Sequence, residues 1–133
     1  MATLVQLMRR ELKTIAHHVP IREVAKRMRD ERVGALFVEQ NGELVGIVTE
    51  TDVVRRAVAE DLDLGSLKAQ SIMTVPIVTI ESIRTVQDAH DMMGDLGVRH
   101  LGVTEQGKLV GVVSVRDLLV YFKRVSEPKI TQD

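Results

Sequence analysis

The stretch LVGIVTETDVV at positions 44–54 returns 65 residues later as LVGVVSVRDLL at positions 109–119. Aligning residue i with i+65 from Met8/Met73 to Val54/Leu119 spans 47 positions without a gap, and 14 of them are identical. Ordinary residue frequencies would give roughly three. An internal duplication constrains the fold more than any other property of a chain, because each copy must make the same unit. About 60 residues bury too little apolar surface to be robust alone, so two such copies are expected to share a core, sheet against sheet.

Each copy reads in the same order. LKTIA and PIVTI are short extended segments. A helix follows, with Ile21, Val24, Ala25 and Met28 on one stripe in the first copy and Val86, Ala89, Met93 and Leu96 in the second. GALFVEQNGELVGIVT and RHLGVTEQGKLVGVVS then read as strand, polar turn, strand. Asn41-Gly42 is a strong hairpin signature and Gln106-Gly107 a weaker one. A last helix opens at Thr49 or Ser114 and carries Val53, Val54, Ala57 and Val58, or Leu118, Leu119 and Phe122. The expected class is α+β (α/β), with two β-α-β-β-α repeats related by a pseudo-two-fold axis. The repeats are placed at 1–62 and 63–125, with a polar tail at 126–133. The acidic connection AEDLDLGSLKAQS brings the second copy alongside the first and does not read as a flexible tether.

Composition narrows the function classes. With 18 basic and 19 acidic residues the formal net charge is −1, and aromatics are only 2%, which argues against nucleic acid. There is no cysteine, so disulfides, thiolate metal sites and a cysteine nucleophile are excluded. No apolar stretch approaches the ~20 residues of a membrane span. MATLVQLMRRELK has its charges after a short apolar patch, the reverse of a secretory leader, so a cytoplasmic location is expected. His17-His18 suggests a metal, but adjacent side chains on an extended segment point opposite ways. We expect no metal site there, and the six methionines read as core filler. No paired carboxylates or activated nucleophile point to catalysis.

The repeated phrase has two physical readings. A hydroxyl residue three positions before an acid, ahead of an apolar run, is a capping box. Thr49 with Asp52, and Ser114 with Asp117, fit that pattern. The same geometry suits a ligand, since a helix N-terminus presents free N–H groups to a phosphate. A carboxylate accepts hydrogen bonds only, and a ribose diol offers two donors.

Two β-α-β-β-α copies, each with Met before its first strand, an Asn/Gln-Gly hairpin and a Gly…Thr/Ser…Asp ending, resemble a tandem pair of cystathionine-β-synthase (CBS) domains, the Bateman module. SIMTVPIVTI and VRHLGVTEQGKLVGVVSVRDLL carry the likeness most clearly, and it extends over about Leu4 to Val125. The resemblance implies a regulatory module without catalytic residues or a catalytic cofactor. Its ligand would be AMP, ADP, ATP or S-adenosylmethionine, held in clefts between the copies. It also implies a homodimer through helical faces, here DVVRRAVAED and RDLLVYFKRV, and a separate effector protein as partner. A structural dimerisation module with empty clefts is the alternative.

Carried over residue by residue, Asp52 and Asp117 would contact ribose, with Thr49 and Ser114 positioning sugar or phosphate. Thr14 and Ile15, and Thr79 and Ile80, would offer strand backbone and apolar faces to adenine, or else belong to the core. Arg99 and His100 stand where the family often has phosphate-reaching residues, while the first copy has Gly34 and Ala35. Arg116 fits the family's basic residue before the motif Asp, but Thr51 does not. Phe37 and Gly102 replace a common proline, and the bulk of Phe37 would narrow or fill a cleft. The cleft that receives Arg99 and His100 is therefore expected to bind phosphorylated nucleotides, with Asp117 as the main ribose anchor of the better site; Arg99 would serve either the cleft of its own copy's Asp or the neighbouring one.

Overall fold

The computed structural model describes residues 2–126. It divides into two compact units. One comprises Leu12–Ile77, and the other comprises the residues up to Glu11 together with those from Val78 onward.

The Leu12–Ile77 unit has a three-stranded sheet of order β1-β2-β3, made of Thr14–Ala16, Ala35–Gln40 and Glu43–Thr49. β1 runs parallel to β2, and the connection between them is helix α1, Ile21–Glu31. β2 and β3 are antiparallel, joined at Asn41 and Gly42, whose φ angles are 54° and 80°. Both central residues are left-handed, as a type I′ hairpin requires. Ile21, Val24 and Met28 of the expected α1 stripe are buried against Ile15, Leu36, Val38 and Val48, and Ala25 is half-buried. α1 ends at Arg32 in the left-handed region at φ 56°. After β3, helix α2 (Glu50–Asp52) continues as a π-helical segment, Val53–Val58.

The connection expected to carry the chain between copies is part of this unit's core. Leu64 and Leu67 pack on it, and helix α3, Ala69–Ile72, buries Ala69 and Ile72. Ile21 N–H donates to Leu67 O at 2.8 Å and Ala69 N–H to Val19 O at 2.9 Å, so backbone bonds hold the segment in place. Spatial units and sequence repeats therefore have different borders.

The second unit repeats the pattern with sheet order β4-β5-β6: Thr79–Glu81, His100–Glu105 and Lys108–Ser114. Helix α4, Val86–Leu96, connects the parallel pair β4 and β5 and ends at Gly97, φ 68°. Gln106 and Gly107 form the β5-β6 hairpin at φ 51° and 78°. Helix α5 spans Val115–Ser126. The core is Ile80, Val86, Ala89, Met93, Leu101, Val103, Val113 and Leu118, joined by Leu4 from the N-terminal segment.

Three expectations change. Leu96 is not on the buried stripe of α4; it is 56% exposed, because the helix ends there and Gly97 turns the chain away. Val54, Val58 and Leu119 are also exposed, so among the described residues Ala57 and Leu118 are the apolar ones that the last helices bury. Ser126, assigned to the polar tail, belongs to α5; the remaining tail, 127–133, lies outside the described residues.

Candidate ligand site

In each unit the repeated phrase is a strand running into a helix start. Its glycine is required by a close approach. A Cβ on Gly46 would lie 2.7 Å from Met73 Sδ and 3.1 Å from Thr74 O. A Cβ on Gly111 would lie 2.7 Å from Arg9 O and 3.3 Å from Met8 Sδ. The approaching segments pair with the strand beside the glycine. Thr74 N–H donates to Ile47 O at 2.7 Å and Ile47 N–H to Thr74 O at 3.1 Å. Arg9 and Val112 exchange equivalent bonds, both 2.9 Å. Met8-Arg9 and Met73-Thr74 are aligned pairs in the duplication, and each lies on the motif strand of the other copy.

The capping boxes are formed in both units. Thr49 N–H and Oγ1 donate to Asp52 Oδ2 at 3.0 and 3.1 Å, and Asp52 N–H donates to Thr49 Oγ1 at 3.2 Å. Ser114 N–H and Oγ donate to Asp117 Oδ2 at 2.9 and 3.0 Å, and Asp117 N–H donates back to Ser114 Oγ at 3.2 Å. The two carboxylates differ in what meets their other oxygen. Thr74 Oγ1 lies 3.2 and 3.3 Å from the two oxygens of Asp52, and Arg56 Nε is 3.6 Å from Oδ1. The Asp52 side chain is only 8% exposed. Asp117 Oδ1 is met by Arg9 Nε at 3.3 Å; Asp117 is 12% exposed and Arg9 52%. Sequence reasoning did not single out Arg9 or Thr74, whereas Arg55 and Arg56 are the first copy's basic residues one helical turn beyond its motif. Position 9/74 is dissimilar between the copies, and only the backbone pairing brings it to the motif.

His100 sits opposite Ser114 in the β5-β6 register, and Arg99 O accepts from Val115 N–H at 2.9 Å, so both flank the Ser114–Asp117 turn. Burial pushes the His100 imidazole below its ordinary value of 6.5, Asp117 pulls it upward, and Arg99 lowers it further. Arg99 and Arg116 are exposed. In the other unit Ala35 is opposite Thr49, Glu50 N–H donates to Gly34 O at 3.0 Å, and no cation stands at those two positions.

Ile15 and Ile80 are core residues, 6% and 5% exposed. Thr14 pairs with Phe37 and Thr79 with Gly102 in the parallel ladders. Phe37 is 3% exposed, on the sheet face opposite Leu36 and Val38. Thr79 and Ile80 also line an open depression of about 380 Å³ with Glu81, Arg84, Met92, Thr104 and Gly107, and Ser114, His100 and Asp117 are not part of its lining. His17 Nδ1 is bonded to Gln70 Oε1 at 2.8 Å. Among the described residues no helix is long and apolar enough to cross a membrane.

The CBS domain family model matches the chain twice, over residues 4–59 and 69–124. The chain belongs to the CBS domain family. It is similar to an uncharacterized protein of Methanopyrus kandleri, 34% identical over 99 residues, and covers half of that relative's length and 73% of its own. Among solved structures it resembles a CBS-domain protein from Burkholderia ambifaria MC40-6, proposed to act in signal transduction. The TM-score is 0.82 at 28% identity, covering 92% of this chain and 88% of that one. A hexameric CBS-CP12 protein from bloom-forming cyanobacteria matches with TM-score 0.83 at 27% identity, over 98% and 78% of the two chains.

Proposed function

We propose that this tandem CBS protein is a non-catalytic regulatory module that binds an adenosine-containing ligand and passes the change to a separate protein in the cytoplasm. The ligand is an adenine nucleotide or S-adenosylmethionine. The observation that carries the reading is Asp117. Its Oδ2 is committed to the Ser114 cap, while its Oδ1 faces an exposed, charged side chain. A ribose diol would donate to that oxygen, with Arg99, His100 and Arg116 nearby for phosphate.

Thr74 favours a second reading for the other copy. Asp52 is buried and met by hydroxyl donors on both oxygens, which suits a structural cap with no ligand. The module would then have one strong site per chain.

A thermal-shift screen with AMP, ADP, ATP, S-adenosylmethionine and NAD tests the reading. A ligand at 100 times its Kd should add about 2.7 kcal/mol to stability. No stabilisation by any of them would leave the structural-module alternative standing.

A further inference from the structure

Resting on the assignment of Asp117 as a ribose acceptor, we infer that Arg9 makes binding at this site depend on the charge of the ligand. A carboxylate has about four acceptor positions, two on each oxygen. Ser114 N–H and Oγ fill the two on Oδ2, and Arg9 Nε takes one of the two on Oδ1. A ribose diol that donates both hydroxyls to Asp117 needs both positions on Oδ1. Arg9 must leave.

The segment is built to let it leave. The Arg9 backbone is fixed by its two 2.9 Å bonds with Val112, while its side chain is 52% exposed. The guanidinium can change partners without the strand moving. Among the described residues it is the cation paired with Asp117. Once displaced it needs another anion, and a phosphate on the same ligand supplies one through charge-assisted hydrogen bonds. A nucleoside supplies none, so it must break the Arg9–Asp117 pair without replacing it. Arg9 thus opposes uncharged nucleosides and favours phosphorylated ones. The aligned residue in the other copy, Thr74, is short and uncharged and bonds both oxygens of Asp52, and the cation beside that carboxylate, Arg56, is 3.6 Å away and tied to the Ile72 and Met73 carbonyls.

Calorimetric titration with AMP and with adenosine tests this on the full chain, in the wild type and in Arg9→Ala, Arg9→Lys and Asp117→Ala. The wild type should prefer AMP by about tenfold or more, the scale of one charge-assisted hydrogen bond. Arg9→Ala should weaken AMP and tighten adenosine, cutting the preference about tenfold from its wild-type value and leaving what Arg99, His100 and Arg116 supply. Arg9→Lys should restore most of the preference. An unchanged AMP-to-adenosine ratio in Arg9→Ala, with AMP binding still lost in Asp117→Ala, overturns the role of Arg9 and leaves the Asp117 site intact. AMP affinity that survives Asp117→Ala, or a wild type that binds neither compound, overturns both.

Discussion

Thr74 Oγ1 lies between the two carboxylate oxygens of Asp52, 3.2 Å from one and 3.3 Å from the other. Arg9 stands at the aligned place beside Asp117 and touches one oxygen only. The same duplicated geometry therefore gives a satisfied, buried carboxylate in one unit and a partly committed one in the other. Asp52→Ala should remove a buried carboxylate that accepts from Thr49 and Thr74, while Thr49 Oγ1 still accepts from the backbone N–H of residue 52. We expect a loss of about 2–4 kcal/mol, from the hydrogen bonds to that charged group, and no change in AMP affinity. Urea unfolding of the variant beside calorimetry separates these two readouts.

Asp117→Ala should behave differently. The carboxylate half of the capping box is lost, at about 1.5–3 kcal/mol, while Ser114 Oγ still accepts from the backbone N–H of residue 117, and AMP affinity should fall about 100-fold as two charge-assisted bonds to ribose disappear. A folded variant with wild-type AMP affinity would remove Asp117 from the site.

Gly111→Ala places a methyl 2.7 Å from Arg9 O, a backbone atom that cannot rotate away. The N-terminal segment must shift, at a cost of about 1–3 kcal/mol, typical of overpacking. Because the shift carries Arg9, the variant should lose AMP-over-adenosine preference as Arg9→Ala does. A large stability loss with unchanged preference would separate the segment's packing from its effect on the ligand.

Arg32 holds the left-handed end of α1 at φ 56°, and its aligned residue in the second copy is Gly97 at φ 68°. Glycine takes that conformation without a Cβ penalty. Arg32 is exposed, and its backbone N–H bonds to Arg29 O and Met28 O are open to glycine as well. Arg32→Gly should raise stability by about 0.5–1 kcal/mol, read as a higher thermal midpoint.

His100 gives a pH dependence of definite sign. Burial, with Arg99 beside it, holds its folded pKa below 6.5, while Asp117 opposes the shift. The unfolded chain therefore takes up the proton first as pH falls. The His100 contribution is complete above about pH 6.5 and is lost as pH drops through the lower folded value. Denaturation midpoints at about pH 7.5 and about pH 5.5 should differ less in His100→Gln than in the wild type.

Several features could be read from residues alone because local chemistry settles them. The two hairpins follow from Asn41-Gly42 and Gln106-Gly107, which tolerate positive φ. The α1 stripe of Ile21, Val24 and Met28 follows from helical spacing, and the capping boxes from a hydroxyl three residues before an acid. The duplication at 65 residues carried the class and the family. Tertiary structure alone decided which segment completes which sheet. Met8-Arg9 joins β6 and Met73-Thr74 joins β3 through backbone bonds, and backbone bonds leave no side-chain signature to read. The reason for Gly46 and Gly111 was hidden for the same cause, since an absent side chain is explained only by what approaches it. The inequality of Asp52 and Asp117 is likewise non-local. It arises from a threonine 22 residues from one aspartate and an arginine 108 residues from the other.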